Sequence, residues 1–118
     1  MATTIRPYAG VTEFVYDGKY LRDHYHKILF EFDAPYVRDF YRKILYKLDD
    51  ACIRDFYGKI LYYFDGSSLR PFAGNLLFRI DGKYVRNYAQ RILYIVEGDP
   101  LSRTEWMALL AILAENMQ

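Results

Sequence analysis

The chain has 118 residues, 53% hydrophobic and 19% aromatic, with 13 Tyr and 8 Phe, enough for one domain with its own core and too apolar for disorder. Sixteen Lys and Arg against fifteen Asp and Glu leave a formal charge of +1, and the signs alternate rather than forming the basic blocks of a nucleic-acid binder. The single Cys52 rules out an internal disulfide, no Cys/His spacing announces zinc, and MATTIRPYAG has neither the basic nor the apolar part of a leader, so a soluble chain in a reducing, cytoplasmic setting is expected, without membrane or nucleic-acid partners.

A 16-residue period organises the chain, and such self-similarity outranks any local motif. Arg recurs at Arg6, Arg22, Arg38, Arg54, Arg70 and Arg86, each behind a branched aliphatic residue. Two residues after each Arg comes a ring: Tyr8, His24, Phe40, Phe56, Phe72 or Tyr88. An aliphatic pair and an aromatic follow, as in Ile44-Leu45-Tyr46, and then an acid: Asp17, Asp33, Asp49, Asp65, Asp81 or Glu97.

Residues 3–18 form a divergent first copy, with Thr12 and Glu13 where later copies carry the aliphatic pair. Polar substitutions of that kind suit a terminal repeat. Residues 19–34, 35–50, 51–66, 67–82 and 83–98 are five fuller copies. Each holds two strand-like runs, such as Tyr36-Val37-Arg38 and Ile44–Leu48, and the turn signals Gly58-Lys59 or Gly74-Asn75 fall within a copy. Asp-Gly at 17–18, 65–66 and 81–82 falls between copies, so one copy is one β-hairpin.

Alternation places Ile44, Tyr46 and Leu48 on one face with Val37, and Leu45, Lys47 and Asp49 on the other with Arg38. The position of Lys47 is held elsewhere by Glu31, Tyr63, Arg79 and Ile95, a tolerance expected of a solvent-facing site. Pro7 and Pro71 replace Asp23, Asp39 and Asp55, which points to a wider loop capped by Asp.

In a parallel solenoid, residues one period apart stack at ~4.8 Å, which would pile the arginines on one another. An antiparallel meander interposes acid-bearing strands and is preferred. Twelve strands exceed the ~10 at which open twisted sheets curl or close, so a strongly curved or barrel-like sheet is expected.

After Gly98-Asp99-Pro100 the pattern changes to helix. Ser102-Arg103-Thr104-Glu105 is a capping box, and the run Trp106–Ala114 is apolar on all sides. A helix over 102–116 is about 22 Å long, close to the ~20 Å of a six-residue strand. Wrapped by the sheet, it buries Trp106, Leu109, Leu110 and Leu113; the alternative lays it across one face of a curved sheet completed by dimerisation.

The elements D-G-K-Y-[LV]-R (Asp17–Arg22, Asp81–Arg86) and G-K-I-L-Y (Gly58–Tyr62), ending in an L-S-x-x-E apolar helix, resemble tandem β-hairpin repeat proteins of bacterial, often gut-bacterial, origin. Those proteins are described only as uncharacterised, and the resemblance, over roughly residues 14–116, brings no activity with it.

The Arg and acid rows read first as a structural ladder and second as an anion site. The Tyr and Phe rows read first as packing and second as a ligand or partner surface. His24 and His26 lack a third ligand, Cys52 lacks a base, and neither a nucleophile elbow nor a phosphate-binding glycine loop exists, so no catalysis, cofactor or metal is expected. The resulting expectation is a structural or protein-interaction repeat module, self-associating because a long sheet must cover its end strands. The alternative is a small-ligand or glycan binder using exposed Tyr and Arg rows.

Overall fold

The alternation of small aliphatic and aromatic residues, cut every few positions by Asp, Gly and Pro, produces twelve short strands in the computed structural model, which describes residues 2–10 and 14–116. The strands are β1 (Thr3–Pro7), β2 (Phe14–Tyr16), β3 (Tyr20–Arg22), β4 (Ile28–Asp33), β5 (Tyr36–Asp39), β6 (Ile44–Leu48), β7 (Cys52–Arg54), β8 (Ile60–Phe64), β9 (Ser68–Pro71), β10 (Phe78–Asp81), β11 (Tyr84–Arg86) and β12 (Ile92–Gly98), followed by helix α1 (Arg103–Asn116). Thr12 and Glu13, the polar pair of the first copy, lie outside the described residues.

Each strand pairs antiparallel with its chain neighbour, and β1 pairs with β12 to close a barrel. The seam runs in register from Thr3 opposite Gly98 to Pro7 opposite Tyr94. Closure gives every edge strand a partner, so the need to cover end strands no longer argues for self-association.

One aliphatic per copy, Ile5, Leu21, Val37, Ile53, Leu69 and Val85, points inward and is at most 1% exposed. Larger inward residues flank this ring, among them Tyr16, Tyr46, Tyr62, Phe64 and Phe78. What they close upon is α1. Met107 through Leu113, seven consecutive residues, are each 0–2% exposed, and two turns of helix are buried on every side only when surrounded. The helix therefore fills the lumen. Its 14 residues span about 21 Å, and the molecule measures 35 × 33 × 23 Å, a squat cylinder whose height the helix crosses.

The capping box forms as its sequence implies. The Glu105 N–H donates to Ser102 Oγ at 3.2 Å, and the Ser102 N–H donates to Glu105 Oε1 at 2.9 Å. Tyr16 on the barrel wall donates its hydroxyl to the other Glu105 oxygen at 2.5 Å, and Tyr62 donates likewise to Glu115 near the far end of α1. Burial first, and then the facing carboxylate, raises both phenols above their ordinary range. Trp106 departs from the expected full burial. It is half-buried beside Pro100 and Leu101, because it lies where the helix enters the barrel.

Two details of register differ from simple alternation. A β-bulge in β5–β6 pairs Val37 with Tyr46 but Arg38 with Ile44, and β3–β4, β7–β8 and β11–β12 repeat it. The bulge absorbs one residue, so Ile44 joins the Arg face while Leu45 packs against the core. The position of Lys47 is not uniformly solvent-facing either: Glu31 and Ile95 are buried there. Each lies in register between a Tyr and an Arg, Tyr20 and Arg38 for Glu31, Tyr84 and Arg6 for Ile95. Where Cys52 or Ser68 replaces that Tyr, the equivalent Tyr63 and Arg79 are exposed.

Removal of everything after Gly98 should leave a chain without a cooperative melt or a dispersed amide spectrum. Leu110→Ala in the intact chain should cost about 2–5 kcal/mol in denaturant unfolding. Two glycines separate backbone strain from steric conflict. Gly58 has φ +88° with nothing within 4 Å of an added Cβ, whereas at Gly98 that atom would meet the Ala2 carbonyl oxygen across the seam. Gly58→Ala should therefore cost about 1 kcal/mol. Gly98→Ala should cost more than twice that, measured the same way, because it pries the seam apart.

Candidate functional site

Up-and-down connectivity sorts the connectors onto two ends of the cylinder. The turns between copies form one rim, here the turn rim, and the connectors within copies form the loop rim.

At the turn rim Asp17 and Asp49 each serve two kinds of partner, the N–H groups of the turn and an arginine. Asp17 Oδ1 accepts the N–H groups of Lys19 and Tyr20, at 3.0 and 2.8 Å, and its other oxygen meets Arg22 Nε at 3.5 Å. Asp49 repeats this with Ala51, Cys52 and Arg54, and Asp81 holds Arg86 at 2.9 Å. Arg38 pairs with Asp33, and Arg6 reaches Glu97 across the seam, both at 3.5 Å. The ladder expected of the rows thus forms at five of the six arginines. Arg70 is exposed and acts on Asp65 by attraction alone. At Asp17 and Asp49 partial burial opposes ionisation, but turn N–H groups and the guanidinium outweigh it and hold both carboxyls below their ordinary value. Asp65 is lowered first by the Ser67 N–H.

The same arginines reach the other rim. Nη1 of Arg22, Arg38, Arg54 and Arg86 donates to the carbonyl of His26, Arg42, Gly58 and Gln90 at 3.2, 3.4, 3.1 and 2.9 Å. Those four acceptors share a left-handed backbone, φ 67–88°. Their loops are capped as the Asp positions suggest. Asp39 Oδ1 accepts the N–H groups of Tyr41 and Lys43 at 2.8 and 2.9 Å, and Asp23, Asp55 and Asn87 do the same in their copies.

The capped loops carry a crown of aromatic side chains. Tyr8, Tyr25, Phe40, Tyr41, Phe56, Tyr57, Phe72 and Tyr88 are all between 50% and 90% exposed, and all belong to the loop rim. Phe40 meets Tyr41 edge-on at 5.4 Å, as Phe56 meets Tyr57. Lys27 lies 6.0 Å from the Phe40 ring and Lys47 5.4 Å from that of Phe56, so neighbouring copies brace each other's rings. Exposed Lys27, Arg42, Lys43, Lys59 and Arg91 stand between them. An open cleft of about 790 Å³ lined by Tyr8, Arg86, Arg91 and Leu93 opens on the same rim.

This crown overturns part of the aromatic reading. The ring two residues after each Arg is expected to pack, and it is exposed because the residue before it ends the strand, by an Asp or Asn cap in four copies and by Pro7 or Pro71 in the other two. Tyr20, Tyr36 and Tyr84 do pack, each beneath its Arg on the outer wall at 5.4–5.5 Å. Of the helix residues singled out by sequence, Leu109, Leu110 and Leu113 lie buried in the lumen.

The turn rim is concave and acidic. Depressions surround the helix where it enters: one of about 300 Å³ between Tyr16, Phe32, Leu48 and Thr104, one of about 190 Å³ by Asp50 and Met107, and one of about 230 Å³ by Trp106 and Lys83. Shared lining residues Ala34, Leu48 and Thr104 join the first two into a moat.

Among the described residues no group of three or more His, Cys, Asp or Glu is placed to hold a metal ion. The His24 ring lies against that of Tyr25, centroids 3.9 Å apart and planes tilted by 42°. No helix among the described residues is long and apolar enough to cross a membrane. No family model, no curated protein and no solved structure matches this chain.

Arg54→Ala removes a half-exposed ion pair and one loop contact. It should cost about 1 kcal/mol in urea unfolding, the scale of exposed pairs plus one neutral bond. The lowered carboxyls at Asp17, Asp49 and Asp65 contribute stability above the unfolded value of about 4 that is lost as pH falls through their folded values. Thermal scans should show the midpoint falling as pH drops below about 4, and less steeply in Asp49→Asn.

Proposed function

We propose that this protein is a non-catalytic interaction module that binds a protein partner through the aromatic crown of its loop rim. The observation that carries the reading is the eight exposed rings gathered on one end of a rigid barrel. Large exposed apolar patches rimmed by charge mark interaction sites. Tyr, Phe and Arg are also the residues enriched where proteins meet. The Asp caps and arginine struts hold the loops before a partner arrives, which lowers the ordering cost of binding.

The outer wall supports the same assignment to the rim. Its waist bears Arg–acid pairs, and an Arg facing lipid at a bilayer midplane costs ~2–4 kcal/mol. A reducing, cytoplasmic setting accords with the single half-buried Cys52. The second reading, a glycan or small-ligand binder, is favoured by one observation, the cleft beside Tyr8 and Arg91 on the same rim.

Panning a random peptide library on the intact protein should return binders that lose affinity at least tenfold for Tyr41→Ser/Tyr57→Ser. That variant should melt like the parent, because both side chains are solvent-exposed loop residues. Binding on a glycan array that the same variant abolishes, with no peptide selected, would transfer the function to the second reading.

A further inference from the structure

We propose that the partner of the crown is a second copy of this chain, docked end to end, loop rim of one molecule onto turn rim of the next. This rests on the reading of the crown as a protein-binding surface and names what binds there.

The two ends are opposite in shape. One presents projecting rings, with Tyr41 and Tyr57 the most exposed; the other presents the moat around the helix, with apolar walls at Phe32, Leu48 and Ala108. They also differ in the balance of charge. At the turn rim eight acids, Asp17, Asp33, Asp49, Asp50, Asp65, Asp81, Glu97 and Asp99, five of them paired with wall arginines, stand against Lys19, Lys83 and Arg103. At the loop rim Lys27, Arg42, Lys43, Lys59 and Arg91 are exposed against the three Asp that cap its loops. Ring against groove and ammonium against carboxylate are satisfied by one coaxial stacking. Loops and turns both recur every 16 residues around the same barrel, so a rotation that seats one loop seats its neighbours.

The size is adequate. An end face of 35 × 33 Å covers roughly 900 Å², close to the ~800 Å² each partner contributes to a standard interface. The contact joins unlike surfaces, so each added molecule displays a fresh rim, and assembly is open-ended rather than closed at a dimer.

Sedimentation velocity of the intact protein from about 1 µM to about 1 mM should show a mean mass that climbs past the dimer without a plateau. Tyr41→Ser/Tyr57→Ser, at the loop rim, and Ala34→Lys/Asp50→Lys, at the turn rim, should each keep the parent melt and weaken association at least tenfold. Mixed one to one, these two variants retain one working rim apiece and should form a heterodimer that goes no further. A plateau at the parent's own dimer, or a mixture no more associated than its components, would overturn stacking. So would a protein that stays monomeric throughout. A monomer that still selects crown-directed peptides would leave the binding-module reading standing, whereas loss of both results would remove the two together. Saturable pelleting with phosphatidylserine vesicles by a monomeric parent, lost in Tyr41→Ser/Tyr57→Ser, would overturn stacking in favour of a lipid surface.

Discussion

A ring of twelve strands encloses more space than its own inward side chains can fill, and everything else in this structure depends on α1 occupying that space. Small barrels close on their side chains alone, while larger ones need a ligand, water or a plug. Here the plug is covalent. Because the helix is apolar on every side, it has no stable place in water, and because the barrel's inner face is apolar, it has none either until the two meet. The mixed sizes of the inner residues, Val37 and Val85 against Tyr46 and Phe64, let a round wall follow the uneven surface of a helix.

The polar contacts work on a different scale. None of the Arg–acid pairs is deeply buried, and each is worth little by itself in high dielectric. Their contribution is geometric. In four copies one guanidinium joins the acid of a turn to the left-handed carbonyl of a loop across strands only a few residues long, so each of those copies is a small truss. That stiffness explains how eight rings can be presented to solvent without collapsing onto the barrel wall.

Much of this was legible in the residues. The 16-residue period, the antiparallel pairing and the capping box followed from turn chemistry and charge placement, and the helix in the lumen followed from nine apolar residues in a row. The bulge was hidden because Ile44 and Leu45 are both aliphatic, and alternation alone cannot say which turns inward. The crown was hidden for a related reason. Phe40 and Phe56 look like core residues until one sees that Asp39 and Asp55 have already ended the strands with their side chains. The burial of Glu31 depends on Tyr20 and Arg38 from two other strands, a coincidence that no single copy displays.

The seam between β1 and β12 has a consequence for how the chain is made. Every other strand pair joins chain neighbours, so eleven of the twelve pairings cost little loop entropy. The twelfth joins residues 3–7 to residues 94–98. During synthesis from the amino terminus, β1 must wait with an unpaired edge until β12 has emerged, and the helix that fills the barrel follows β12. Until then the strands form an open, unfilled sheet, exposed to the pairing errors that closure prevents afterwards.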